Sequence, residues 1–463
     1  MADPIDLTKL DRDVRLAAAR VETRRAALAV APAEDRSEPF GELRHTAGQS
    51  TYRALVDAKP SVLDFPHRDG LLRWVHELLQ ARVGHDLVLD EAEVVHAVDP
   101  RLSKRAQQEH EKKPADATYL PMETTPHTIA EAWRAMLTAT DPVRAASALE
   151  RLADLAPPLG AVRKEQRARR FEIARRLGLA HPWALATTAD FLGLARALLD
   201  TTESIARQVQ REAQKKSDVA WRAPSSIQLA LARHAREGWP ARPIARWLDD
   251  VLRPLVPRGL TVKGLPEPLG GATFVRAAAT WGFTWKVAAT PRSMAFALAR
   301  DPYPAPAHRF GFAIGHVVTE PEFQRRALEL PSRIATSQSR ILRITTLLHV
   351  RALAARVVLG ASEHVDASMF EEMTMRAFGT PLPSSMLDAW PAPRIDDPTR
   401  LLALLGTPAF VQSIVDRYDE DWFRNPKAGT HLTGLACGPG FDAEPPPDDA
   451  AKAIGRWYEE VLG

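Results

Sequence analysis

The chain has 463 residues, enough for two or three packing units and a large hydrophobic core. Hydrophobic residues make up 45% of it and charged residues 26%, the composition of an ordinary soluble globular protein. The formal net charge is only +3, so composition gives no sign of the concentrated basic face that nucleic-acid binders usually carry.

Cysteine content and the terminal sequence bear on where the protein acts. Cys437 is the single cysteine, so the chain can form neither an internal disulfide nor a multi-cysteine metal site. This fits a reducing compartment. The first residues lack the apolar core of a secretion signal, and no apolar run reaches the ~18 residues of a membrane span. We therefore expect a cytoplasmic protein without a membrane segment.

Helical periodicity dominates the chain from beginning to end. Apolar stripes at helical spacing predict helices over 71–82, 129–139, 143–155, 225–236, 242–255, 272–282, 339–359, 400–418 and 450–461. Alternating patterns are scarce, and only 259–263 hints at a short strand. The 37 prolines cluster between the predicted helices, where they end them. The sequence therefore predicts an all-α, multi-helical protein with at most a small β element.

Two polar stretches, 99–127 and 437–449, indicate boundaries along the chain. From these boundaries and the helical pattern we predict four parts. They are an N-terminal helical extension with a polar linker over 1–125, a helical region over 126–258, a second helical region over 259–436, and a loop with a C-terminal docking helix over 437–463.

Residues 312–316 read Phe-Ala-Ile-Gly-His, a degenerate form of a zinc-binding helix. In the motif His-Glu-x-x-His, two histidines four residues apart hold Zn²⁺ from one helix face, and the glutamate activates water. Here Phe312 takes the first ligand position and Ala313 the position of the base, and only His316 remains. Neither phenylalanine nor alanine can bind a metal or accept a proton. The sequence therefore predicts an enzyme-like scaffold without its reaction centre.

Four stretches, in this order, resemble the helical zinc metallopeptidases of the thimet oligopeptidase and oligoendopeptidase family. They are 170–185, 265–282, the degenerate 312–316, and 418–432, within about residues 128–436. The resemblance implies a multi-helical scaffold with a central cleft, in which Phe312, Ala313 and His316 are vestigial metal-site positions. An alternative alignment puts His308 and Phe312 at the two ligand positions, and it also lacks a base and a second histidine.

Four further residues are candidates for the wall of the implied cleft. His316 and Glu320 are four residues apart and would share a helix face, with His308 two turns earlier. Two ligands are too few for a closed zinc site, so the alternative is a hydrogen-bonded core histidine and a helix-end carboxylate. Trp281 and Trp285 would also share a face, either in the core or along a groove that grips a peptide. We assign no catalytic residue, metal ligand or cofactor.

Other motifs are more readily explained by structure than by chemistry. The sequence His-Glu-Leu-Leu-Gln at 76–80 resembles a zinc motif with a poor last ligand, and we predict a surface helix with a polar side. Glu93 and His96 form a single Glu-x-x-His, which a di-iron site would need twice. Cys437 has no local cue for a lowered pKa. The basic runs 163–176 and 207–216 suggest solvated helix faces rather than a nucleic-acid groove.

These observations favour a non-catalytic protein that binds a protein or peptide partner, as a scaffold or accessory subunit. Two alternatives remain open. One is a metal-dependent hydrolase with a non-standard site around His308, His316 and Glu320, and the other is a helical protein associated with nucleic acid through its basic runs. The sequence leaves open whether the chain is an enzyme, although it favours a role without catalysis, and it says nothing of the oligomeric state.

Overall fold

The structure is a computed structural model that describes residues 5–58, 64–98, 142–216, 235–240, 247, 250–255, 270–387, 394–437 and 449–462. The described residues form helices and short 3₁₀ turns, and none of them lies in a strand. The prediction of an all-α fold is confirmed. The predicted helices 129–139 and 225–236, most of 242–255, the strand 259–263 and the polar stretch 99–127 lie outside the described residues, wholly or nearly so.

The helices are α1 (Leu7–Leu28), α2 (Gln49–Asp57), α3 (Phe65–Val83), α4 (His85–Val98), α5 (Pro142–Arg176), α6 (Phe191–Thr201), α7 (Glu203–Lys216), α8 (Gly271–Ala289), α9 (Phe296–Ala299), α10 (Ala305–Val317), α11 (Pro321–Ala327), α12 (Ser332–Ala361), α13 (Ala367–Phe378), α14 (Asp397–Leu405), α15 (Thr407–Tyr418), α16 (Pro426–Cys437) and α17 (Ala450–Leu462). The 3₁₀ turns are Gly41–Ala47, Arg253–Leu255, Ser384–Met386 and Trp422–Arg424.

The predicted helices that fall on described residues agree with this order except at one place. A single helix was expected over 400–418, but the chain breaks at Gly406 into α14 and α15. Pro408 explains the break, because proline lacks an amide hydrogen and fits best in the first turn of a new helix.

An N-terminal cluster of apolar side chains holds α1, α2 and α3 together, with Val14, Leu55, Leu71 and Val75 fully buried. Asp6 caps α1 by accepting a hydrogen bond from the Lys9 amide at 2.9 Å. This cluster is tied to the rest of the protein by Asp11. Its carboxylate accepts hydrogen bonds from the backbone N–H groups of Phe296 and Ala297, at 2.8 and 2.9 Å, and so caps α9.

Helices α8 and α10 form the closest helix pair around the candidate site. They run antiparallel, because Gly282 lies against Phe310 while Gly315 lies against Val275. A Cβ atom on Gly311 would lie 2.6 Å from the Ala279 carbonyl oxygen, a distance that real Cβ atoms essentially never show. Glycine therefore allows the two backbones to approach, and this contact fixes which side of α10 faces away from α8.

The long helix α12 is the central core element. By length and composition it could cross a membrane, but most of its apolar stretch is packed inside the protein. It also carries the buried Arg351, whose guanidinium donates to the Leu199 carbonyl at 2.8 Å and pairs with Glu203 at 2.5 Å. A buried cation with these partners is characteristic of a helix packed among other helices.

The last helix, α17, packs against the rest of the described chain. Ile454 and Tyr458 are each 1% exposed and pack into a core cluster with α6 and α12. Thr201 on α6 donates a hydrogen bond to the Ala451 carbonyl at 3.2 Å. The end of the chain thus completes a core formed by much earlier residues.

Candidate ligand-binding cleft

The positions that the sequence analysis compared with a zinc motif lie on α10, on and beside the face that α8 leaves free. His308, Phe312 and His316 follow one another at four-residue spacing and are partly exposed, whereas Ala313 is buried at 1% exposure. The Phe283 ring of α8 lies 5.0 Å from the His308 ring, so the free flanks of the two helices form one continuous wall. We call this surface the α8–α10 wall.

His308 is held by a carboxylate at the beginning of α14. Its Nε2 lies 2.9 Å from Asp396 Oδ2, and Asp396 also pairs with Arg394 at 2.8 Å. Burial lowers the pKa of His308, an effect that Asp396 only partly opposes. Burial alone would raise the pKa of Asp396, but His308 and Arg394 outweigh it and hold that pKa well below its usual range. The pair therefore fixes the His308 ring in place.

His316 takes part in a chain of ion pairs, so its ring is not free to bind a metal ion. Its ring contacts Glu320, and Glu320 Oε2 accepts a hydrogen bond from Arg343 at 2.6 Å. Burial would raise the pKa of Glu320, but the positive charges and hydrogen bonds of His316 and Arg343 prevail and lower it to about 2. Trp457 of α17 closes this end, with its ring 4.7 Å from the His316 ring and 5.4 Å from the Arg343 guanidinium.

Trp281 and Trp285 belong to the core, not to a solvent-lined groove. They are 1% and 0% exposed, and their rings lie 5.9 Å apart within an apolar cluster that includes Phe310 and Ile314. Their four-residue spacing put them on one helix face as expected, but that face is the one that α10 covers. Sequence spacing alone could not distinguish the two environments.

The expectation of a surface helix with a polar side at 76–80 is wrong. His76, Glu77 and Gln80 are buried, at 0%, 7% and 8% exposure. The Tyr303 hydroxyl donates to Glu77 at 2.5 Å and lies 3.3 Å from His76 Nδ1, while Gln80 Nε2 lies 3.2 Å from His76 Nε2. These contacts give Glu77, His76 and Gln80 Nε2 a partner each inside the protein, whereas Gln80 Oε1 has none among the described residues.

A cavity of about 730 Å³ lies between the N-terminal cluster and the α8–α10 wall. It is lined from α1, α3, α5 and α8 and from the segment around Ala307, and Phe283 and Asp396 belong to its wall. A second cavity, of about 460 Å³, shares Gln166 and Arg170 of α5 with the first. This space, bordered by α8 and by the beginning of α10, is large enough for a peptide segment.

A polar cluster that the sequence analysis did not single out lies where α8, α12 and α14 meet. His349 stands in the middle of α12, and the charges that act on it among the described residues are those of Arg276, Arg400 and Arg356. Burial and these arginines lower the pKa of His349 to about 3. The sequence contained one signal for this cluster, because His349 interrupts the long apolar pattern of 339–359.

The remaining sequence motifs make ordinary structural contacts. His96 Nε2 lies 3.0 Å from the Leu28 carbonyl oxygen, and Cys437 ends α16 with partial exposure. Several arginines of the run 163–176 pair with acidic residues. These pairs are Arg163 with Glu91, Arg169 with Asp86 and Glu165, Arg175 with Glu363, and Arg176 with Glu172.

In the part of the chain that the structure describes, no three His, Cys, Asp or Glu residues are grouped so that they could hold a metal ion.

Comparisons with known proteins bear on the fold alone. No protein-family model matches the chain, and no curated protein does. A solved structure described as an oligoendopeptidase F matches at 12% identity with a TM-score of 0.52, over 100% of this chain and 97% of that one. The fold is oligoendopeptidase F-like. A second structure, of an oligoendopeptidase F from Bacillus anthracis strain Ames, matches at 10% identity with a TM-score of 0.47, over the same shares of the two chains.

Proposed function

We propose that the protein is a non-catalytic member of the oligoendopeptidase-like fold that binds a peptide or an extended protein segment in the space beside the α8–α10 wall. One observation carries the proposal. The helix that resembles the zinc helix presents Phe312 where a ligand would stand, buries Ala313, and commits His316 to Glu320. Peptide hydrolysis of this kind needs a metal and a water activator, and these side chains supply neither.

The hydrolytic alternative has a direct test. The protein purified from a zinc-containing medium is analysed for metal and incubated with a mixed peptide library, with and without a chelator. We expect substoichiometric zinc and no chelator-sensitive cleavage. Stoichiometric metal together with chelator-sensitive cleavage would contradict the proposal.

The binding site has a test with a matched control. Thr280 is an exposed residue of α8, one turn before Phe283, which lines the cavity. Thr430 is an exposed residue of α16, and both hydroxyls donate to the carbonyl four residues earlier, at 2.9 and 3.1 Å. Thr280→Trp should weaken binding of library peptides at least tenfold by filling the space, and Thr430→Trp should leave it unchanged. Equal binding of peptides by the two variants would show that peptides do not bind at this wall.

A cytoplasmic location and a role as an accessory subunit are part of the same proposal. The single cysteine supports the first, because a cytoplasmic chain has no need of disulfides. Co-purification of the tagged full chain from cytoplasmic extract, compared with the Thr280→Trp variant, tests both.

A further inference from the structure

The second cavity, of about 460 Å³, has a strongly positive lining. Its described walls come from α5, from the last turns of α12 and from the beginning of α13. Five cationic side chains and only two carboxylates belong to this lining, and the cations are Arg163, Lys164, Arg167, Arg170 and Arg356. Four of the five lie on α5 at helical spacing, so they share one face of that helix.

Both carboxylates of the lining are already engaged by groups that do not line the cavity. Glu363 pairs with Arg175, whose Nη1 lies 2.7 Å from Glu363 Oε1. Asp366 caps α13 by accepting a hydrogen bond from the Met369 amide at 2.7 Å. An anion that enters the cavity therefore meets an excess of cations.

Two of the cations are held in place by carboxylates outside the lining. Arg163 pairs with Glu91 at 2.8 Å, and Arg356 Nε donates to Asp397 Oδ2 at 2.8 Å. These pairs fix the two guanidiniums at the wall. A wall whose charged groups are already ordered loses less side-chain entropy when a ligand binds.

The rest of the lining includes buried apolar and aromatic side chains, among them Phe171, Trp183, Leu359 and Phe370. Trp183 is 1% exposed, and its indole Nε1–H has no hydrogen-bond partner among the described residues. Buried polar groups normally have a partner. A ligand in this cavity therefore meets an apolar surface beside the cations, the combination found in small-molecule sites.

We propose that the second cavity binds a small organic anion. Arg167 and Arg170 receive its phosphate or carboxylate group, because a planar guanidinium can donate two parallel hydrogen bonds to either oxyanion. Phe171 and Trp183 contact its apolar part. The inference goes beyond the peptide-binding role, since it concerns a different ligand in a different cavity.

The experiment measures affinity by calorimetry on the full chain. The probes are phenyl phosphate, benzoate, the neutral benzamide and inorganic phosphate. We expect phenyl phosphate or benzoate to bind at least tenfold more tightly than benzamide and than inorganic phosphate. Added salt should weaken this binding, because it screens the cations. The preferred probe of the two identifies whether the ligand is a phosphate or a carboxylate.

Variants of Arg167 locate the site, because this residue lines the second cavity and not the first. Arg167→Gln should weaken binding of the preferred anion about tenfold or more, since a charged hydrogen bond is lost. Arg167→Lys keeps the charge and should retain part of the affinity. The control is Arg25→Gln, which removes an exposed arginine from the lining of the first cavity and should change nothing.

The indole of Trp183 gives an independent readout. In the chain labelled with ¹⁵N-tryptophan, the signal of this indole is assigned by its loss in Trp183→Phe, and the preferred anion should shift it. If Trp183→Phe does not fold, the affinities of the Arg167 variants decide the proposal.

Three results would overturn the anion site. They are equal binding of benzamide and both organic anions, equal binding of inorganic phosphate and phenyl phosphate, and an affinity that Arg167→Gln leaves unchanged. Thr280→Trp separates the inference from the peptide-binding role, because it should abolish peptide binding and leave anion binding intact. Anion binding that depends on Arg167 supports the inference even if no peptide binds.

Discussion

At the scale of single residues, His316 on α10 is held by charged and aromatic neighbours. It pairs with Glu320, and Arg343 and Trp457 complete the contact. The histidine takes part in a chain of ion pairs between the end of α10 and α12. The consequence is a structural role for a side chain that the sequence motif associates with chemistry.

Glu320 gives this role a pH dependence. Its pKa in the folded protein is about 2, whereas a glutamate in an unfolded chain has a pKa of about 4.3. The folded pKa is the lower one, so the stabilisation is complete above about pH 4.3 and is lost as the pH falls towards 2. We expect Glu320→Gln to lower the free energy of unfolding by about 1–2 kcal/mol at pH 7, a value reduced for partial solvent exposure.

Urea unfolding between pH 7 and pH 2.5 measures this difference. The gap between wild type and Glu320→Gln should narrow as the pH falls. Glu372→Gln, at an exposed position of α13, is the control and should track wild type throughout. A gap that stays constant with pH would show that the variant acts through packing and not through charge.

At the scale of helices, the contact between α8 and α10 determines which side chains reach open space. Gly282, Gly311 and Gly315 allow the two backbones to approach closely. The apolar face that carries Trp281 and Trp285 is buried in this contact. On the side of α8 that faces the cavity, Phe283, Lys286 and Val287 line it, as does Ala307 at the beginning of α10. The glycines of α8 and α10 therefore serve the packing of the two helices.

Gly311→Ala tests this packing. Alanine is the better helix former by about 1 kcal/mol, but its Cβ would collide with the Ala279 carbonyl. We expect a net loss of about 1–3 kcal/mol from overpacking. Gly434→Ala in α16, where a Cβ meets nothing within 4 Å, should instead be neutral or stabilising. Thermal unfolding of the two variants decides the matter, and equal effects would mean that the close approach of α8 and α10 is unimportant.

At the scale of the whole molecule, the core is assembled from distant parts of the chain. One apolar cluster joins α5 and α6 with α12, α13, α14 and the C-terminal α17. Another joins α8 and α10 with α15 and α16. The four-part division of the chain stays a prediction. Both clusters, however, contain residues from widely separated stretches of sequence.

Tyr458→Ala probes the contribution of α17 to this assembly. The Tyr458 side chain is 1% exposed, and its removal should cost about 3–5 kcal/mol. Lys452→Ala, on the exposed side of the same helix, should cost little. Hydrogen exchange should show faster opening of α6 and α12 in Tyr458→Ala only. Unchanged exchange in those helices would mean that α17 is an independent appendage.

The sequence by itself determined the helical fold, the helix at 450–461, and the fact that 312–316 is not a complete zinc motif. These follow from local periodicity and from residue chemistry, which need no partner element. Only the tertiary structure decided that Trp281 and Trp285 are core residues, that the polar side of 76–80 is buried against Tyr303, and that arginines from three helices lower the pKa of His349. The physical reason is the same in each case, because burial and electrostatic environment depend on which helix packs against a given face, and residues far apart in sequence supply that helix.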